Sequence, residues 1–231
     1  MIYNKIYRLI FLTSMVACAL YAQDKESWIQ KTSGEALYLE PRTGQWIPIS
    51  AKQTIPLRTY LITHHGSKTT LYDQAEMLVL PDGAYFFVED AIPKDRDALV
   101  GALTQIEAEH LPNRLESRPV SVGLTYGAPE HKNEEQIPYL AERINAVNRF
   151  YELGRKDASL LSLKRLLSKY PRLYRDKKNV EQLFSLYENL ELYGYLYDES
   201  SRLLNLSQDA EWSVFINGWY KTARTYVTQQ H

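Results

Sequence analysis

The histidine pair His64-His65 is the first place where this chain could hold a metal. Adjacent residues on a strand point to opposite faces, so the two rings are poorly placed for one ion. No carboxylate or cysteine stands at ligand spacing around them, and the expectation is a solvated turn without a metal. Glu89, Asp90, Asp95 and Asp97 form an acidic cluster. Paired carboxylates can cleave glycosidic bonds. Here they precede a helical pattern, where the helix dipole favours acids and a capping role is expected. His65-Gly66-Ser67 lacks the flanking glycines of a nucleophile elbow. No phosphate loop, dinucleotide fingerprint or zinc-protease helix is present, so no catalytic residue and no cofactor are assigned. A run of cations is the strongest remaining signal. Arg149, Arg155, Lys164, Arg165 and Lys169 lie in a helical region where acids offset only part of the charge. They read either as a solvated face or as a partner-binding face for an acidic peptide or an anionic polymer.

The elements that would position these residues begin with short apolar runs over residues 34–92. Leu37-Tyr38-Leu39, Trp46-Ile47, Thr54-Ile55, Tyr60-Leu61-Ile62, Leu71-Tyr72, Met77 to Leu80 and Ala84 to Val88 are separated by Gly, Pro, Asp and Ser. Such runs predict strands of an all-β unit. Pro48 and Pro56 lack an N–H donor and belong at edges or bends. With its Trp46-x-Pro48 step, Thr63-x-x-x-Ser67 turn and Pro81-Asp82-Gly83 turn, this stretch resembles the FecR-type extracytoplasmic domain. The resemblance implies a β domain working outside the cytoplasm. The family's signalling role, which uses a membrane span and a cytoplasmic segment, is not expected here.

The first residues carry a different message. Lys5 and Arg8 precede an apolar stretch, and Ala22 offers a cleavage point, so residues 1–22 read as a secretory signal peptide. Cys18, the single cysteine, lies inside it. Cleavage after Ala22 leaves no thiol for a disulfide, a nucleophile or a metal. In the alternative reading Met15-Val16-Ala17-Cys18 is a lipoprotein box, and Cys18 becomes a lipid anchor. Formal net charge is −1, which gives no basic excess for nucleic-acid binding. Tyr outnumbers Phe by 18 to 6. Its apolar body and polar tip suit half-buried surfaces, with packing the expected role for most copies.

Beyond residue 92 the apolar period becomes helical. A helix is predicted over about 98–110, capped by Asp95 or Asp97, with Leu99, Leu103 and Ile106 on one face. Residues 119–126 suggest a lone strand and 127–135 a linker. Further on, Leu140, Ile144, Val147 and Tyr151 predict one buried stripe, and Gly154 ends that helix. Asp157 is a candidate cap for the next helix, where Leu160, Leu163 and Leu167 share a face with Leu166 and Tyr170 adjoining, and Pro171 stops it. Phe150-Tyr151 before Gly154, with Ser159, Leu163 and Pro171 after it, resembles a tetratricopeptide repeat. Ala146-Val147 and Leu166 depart from that family's residues. A weaker second copy is expected over about 180–206, with its turn at 195–197 and with residues 172–178 breaking the 34-residue period of the family. An aromatic final helix, about 210–227, would either cap the stack or face a partner.

The expected architecture is therefore α+β: residues 1–22 as signal peptide, 23–33 as a short leader, 34–126 as a FecR-like β-rich domain with one helix, 127–135 as linker and 136–231 as tetratricopeptide-like helical hairpins. The expected function is a non-catalytic, exported bacterial envelope protein, periplasmic or outer-membrane-associated. It would bind an envelope protein or a cell-wall polymer, and no nucleic acid. A cell-wall or polysaccharide enzyme with an unrecognised site is the alternative, marked by a deep pocket with convergent carboxylates or a histidine. A sensor handing a signal to a membrane partner is the third.

Overall fold

The computed structural model describes residues 27–73, 76–109, 137–206 and 209–229. The signal peptide expected at 1–22, Cys18 within it, the strand expected at 119–126 and the linker expected at 127–135 lie outside the described residues. The fold is α+β, with two four-stranded antiparallel sheets followed by six helices. The chain divides into two compact units. One holds the chain up to Gly83 with Phe87–Ala91, and the other holds Ala84–Phe86 and the chain from Ile92 onward.

The strands are β1 (Ser27–Ser33), β2 (Ala36–Leu39), β3 (Trp46–Pro48), β4 (Lys52–Ile55), β5 (Tyr60–Thr63), β6 (Lys68–Asp73), β7 (Glu76–Leu80) and β8 (Ala84–Phe87). Their order is β4-β1-β6-β7 in the first sheet and β3-β2-β5-β8 in the second. Alternation decides which side chains are buried. Ser27 and Ile29 of β1 are buried, whereas Trp28 and Gln30 between them are half-buried. Leu71 on β6 and Ile55 on β4 join Ile29 among the buried residues, and Ala36, Leu61 and Ile62 are buried in the second sheet. Pro48 ends the edge strand β3, and Pro56 follows edge strand β4, so neither removes a needed ladder donor.

The leader expected at 23–33 is corrected by β1. Ser27 to Ser33 form an inner strand, paired antiparallel with β4 on one side and β6 on the other. Only two of its residues, Trp28 and Ile29, are strongly apolar, so the run reads as polar until its pairing is known. Trp28 lies opposite Tyr72 with the rings stacked at 3.8 Å, and Lys52 Nζ sits 4.1 Å from the centre of the Trp28 ring. Two turns depend on glycine. Gly34 has φ +75°, and a Cβ there would meet the Cα of Ser67 at 2.5 Å. Gly83 has φ +59° and lies under the His65 ring.

The helices are α1 (Arg96–Glu109), α2 (Leu140–Glu152), α3 (Lys156–Lys169), α4 (Lys177–Asn189), α5 (Tyr193–Leu206) and α6 (Ala210–Gln229), with a short 3-10 helix at Pro171–Arg175 before α4. Asp95 caps α1 by accepting the Ala98 N–H at 2.8 Å. Leu99, Leu103 and Ile106 join one apolar core with residues of α3, α4 and α5. Helix α1 thus belongs to the helical unit and not to the β-rich domain of the sequence reading.

Two hairpins follow, α2–α3 and α4–α5. Each first helix ends in the same way. The Arg155 N–H donates to the Phe150 carbonyl around Gly154 (φ +76°), and the Leu192 N–H donates to the Tyr187 carbonyl around Glu191 (φ 56°). The steps Phe150 to Tyr187, Gly154 to Glu191 and Arg155 to Leu192 each span 37 residues. The second turn therefore lies at Leu190–Leu192 and not at 195–197. Residues 195–197 lie inside α5.

The buried stripe of α2 also differs from the expected one. Arg143, Ala146, Val147 and Phe150 are buried, whereas Tyr151 is 46% exposed. Arg143 disguised this face as polar, and its Nε donates to the Pro138 carbonyl at 3.1 Å. Ser159 of α3 is buried, and its hydroxyl donates to the Val147 carbonyl at 2.8 Å, so the two helices approach closely there. Asp157 does not cap α3. It accepts from the Arg155 side chain and, at 3.1 Å, from the Lys94 N–H. Trp219 of α6 meets Phe184 edge-on, and Tyr220 and Tyr226 stack on Tyr197 and Tyr193, with Tyr226 itself exposed.

Candidate functional site

Two adjoining hollows mark the helical unit. One encloses about 410 Å³ and is lined by residues of α1, α3 and α5, including Glu107, Lys164, Tyr195 and Glu199. Its neighbour encloses about 570 Å³ and includes Arg175, Leu203, Leu206, Asp209 and Trp212. Pro171, Tyr174 and Arg202 line both, so the two share a wall.

The smaller hollow is built around charge. Lys164, 4% exposed at its side chain, places its ammonium 2.7 Å from Glu199 and 3.0 Å from Glu107. Glu199 is buried as well and also pairs with Arg202 one helical turn further on. The Arg202 guanidinium lies 4.7 Å from the centre of the Tyr174 ring. Burial acts to raise the Glu199 carboxyl, but the charges and hydrogen bonds of Lys164 and Arg202 outweigh it and hold the group below the usual carboxylate range. Burial first, and then the Glu199 charge and hydrogen bond, push the Tyr174 hydroxyl far above its ordinary range. Tyr187 is raised in the same direction by burial and by Glu199. The cluster thus joins Lys164, Glu107, Glu199 and Arg202 in ion pairs beside the Tyr174 ring. Its charges satisfy one another.

The larger hollow is apolar at its floor and basic at its lip. Leu203 is buried, Trp212 half-buried and Leu206 67% exposed. The 3-10 helix and the start of α4 supply Arg172, Arg175, Lys177 and Lys178, all exposed. Asp176, the one acid among them, accepts the Lys178 N–H as the cap of α4. Asp209 is engaged by the N–H groups of Glu211 and Trp212 at the start of α6.

The five cations singled out from the sequence are not brought onto one face. Lys164 and Arg165 are buried in ion pairs, the latter 3.0 Å from Glu109. Arg155 is bound to Asp157 and is mostly buried. Arg149 pairs with Glu152 at 3.0 Å on the surface. Lys169 is exposed, and burial followed by the Arg143 charge lowers its ammonium from the usual range. The partners that explain Lys164 and Arg165 lie on α1 and α5, far away in sequence, and so leave no spacing signal. Glu199 and Arg202, one helical turn apart, were the one local hint.

The other candidates resolve as local structure. Glu89 and Asp90 sit in a 3-10 turn at Val88–Ala91, and Asp97 in the first turn of α1. His64 approaches Glu35 at 4.0 Å, while the His65 ring covers Gly83. Among the described residues no group of three or more His, Cys, Asp or Glu could hold a metal, and no helix is long and apolar enough to cross a membrane. No protein-family model, curated protein or solved structure matches this chain.

Proposed function

We propose that this chain is a non-catalytic, exported protein of the bacterial envelope: a FecR-like β unit combined with a tetratricopeptide-like helical unit that binds another macromolecule. The observation that carries this reading is the repeated hairpin. Two helix pairs ending in the same left-handed turn, 37 residues apart, build one core and leave grooves at its surface. Stacked helical hairpins characteristically offer such surfaces to protein partners. The spacing exceeds the family's 34-residue period, and the short 3-10 helix between the hairpins accounts for the added chain.

The charge cluster supports a binding role over a catalytic one. A glycosidase-type acid needs a carboxyl that holds its proton near neutrality. Glu199 is held in the opposite direction, and Glu107 and Glu199 both face the Lys164 ammonium. The test is cell fractionation of the full chain followed by a crosslinked pull-down from the native envelope. Recovery in the envelope fraction with a defined protein or cell-wall polymer is the expected result. Retention in the cytoplasm, or recovery without any partner, counts against the reading.

A further inference from the structure

We infer that the 570 Å³ groove beside α5 and α6 receives an extended protein segment that carries an apolar side chain next to a carboxylate. The inference rests on the binding role proposed for the helical unit and names the chemistry of its partner. Three observations converge. First, the floor is apolar, and Leu206 leaves two thirds of its surface exposed beside Trp212 and Leu203. An apolar side chain entering there would remove its own surface and that of Leu206 from water.

Second, the lip is predominantly basic, with Asp209 among its lining residues. Arg175 lines the groove, and Arg172, Lys177 and Lys178 flank it on the same short stretch. Arg175 makes no ion pair among the described residues, and Lys177 rests its ammonium 4.7 Å from the centre of the Phe215 ring, near Trp212. Third, four exposed cations, Arg172, Arg175, Lys177 and Lys178, outnumber the two nearby acids, Asp176 at the cap of α4 and Asp209 at the start of α6. The surface charge therefore selects an acidic segment, and the apolar floor selects against an acidic polymer lacking large apolar groups. This groove lies at the junction between the hairpins and the last helix, and its cations are not the five that the sequence singled out.

The test uses the full-length chain panned against a random hexapeptide library. Recovered peptides are then titrated by fluorescence anisotropy against the wild type, Arg175→Glu and Leu206→Asp. Both positions are exposed, and a thermal melt verifies that each variant is folded. The expected result is enrichment of Asp or Glu beside Leu, Phe or Trp. Affinity should fall by about fivefold in Arg175→Glu, a loss typical of one exposed charge pair, and vanish in Leu206→Asp. Lys-substituted peptides should gain on Arg175→Glu. Peptides that need Leu206 but show no acid preference would overturn the chemistry and leave the groove as a binding site. No recovery, or binding indifferent to Leu206, would overturn the groove itself. Concentration-dependent self-association lost in Leu206→Asp would overturn the proposal in favour of a second copy as occupant.

Discussion

The Lys164 ammonium lies 2.7 Å from the Glu199 carboxylate, with both side chains less than a tenth exposed. Removing one member of such a pair leaves an uncompensated charge away from water. Lys164→Met is expected to cost about 3–5 kcal/mol in urea denaturation, as measured for broken buried pairs. Adding Glu199→Leu should recover most of that loss, because two apolar groups of similar size need no charge partner. A double variant as unstable as the single one would show that Lys164 acts mainly through Glu107.

The same pair sets an acid limit. The folded-state pKa of Glu199 is depressed relative to the unfolded chain, so its contribution is present above the unfolded value and is lost as pH falls towards the folded one. Stability at pH 7 and at about pH 5.5 should then differ little on account of this group, and it should decline below about pH 4.5, the region of free glutamate titration. Thermal melts across this range should show a shallower acid limb in Glu199→Gln than in the wild type, from a lower starting stability.

Gly34 and Gly44 both have positive φ but different surroundings. A Cβ at Gly34 would meet the Ser67 backbone at 2.5 Å, whereas one at Gly44 meets nothing within 4 Å. Gly44→Ala should cost about 1–2 kcal/mol from the left-handed conformation alone. Gly34→Ala should cost about 3 kcal/mol or more, because overpacking adds to that strain. Chemical denaturation of the two variants side by side gives the comparison.

Trp28 and Tyr72 stack across neighbouring strands at 3.8 Å. A double-mutant cycle to alanine should return a coupling of about 0.5–1.5 kcal/mol, the range of aromatic pairs. A coupling near zero would mean that β1 is held by its ladder hydrogen bonds and by Ile29 instead.

Asp95 accepts the Ala98 N–H at the start of α1. Asp95→Ala should lower stability by about 1 kcal/mol, and Asp95→Ser should restore most of it, because the serine hydroxyl accepts the same N–H. Asp97→Ala, which removes an acid of the first turn and not the cap, should have a smaller effect.

Local periodicity was enough to foresee much of this protein. The runs from Leu37 to Phe87 alternate, and the runs Leu99–Leu103–Ile106 and Leu160–Leu163–Leu167 repeat at helical spacing. Those patterns alone foretold seven of the eight strands, β2 through β8, and the class of the fold. Turn chemistry was equally legible where glycine or aspartate is required, as at Gly154 and Asp95. Tertiary structure decided the rest. Strand β1 became an inner strand because β4 and β6 supply its partners, which six largely polar residues around Ile29 do not announce. The second hairpin turned at Glu191, where the Leu192–Tyr187 hydrogen bond holds a left-handed residue that sequence preference assigns to glycine. The basic run of α3 looked like a surface because its counter-charges, Glu107, Glu109 and Glu199, come from other helices. Periodicity is a property of neighbours along the chain. Charge compensation and strand pairing join residues distant along it, and only folding brings them together.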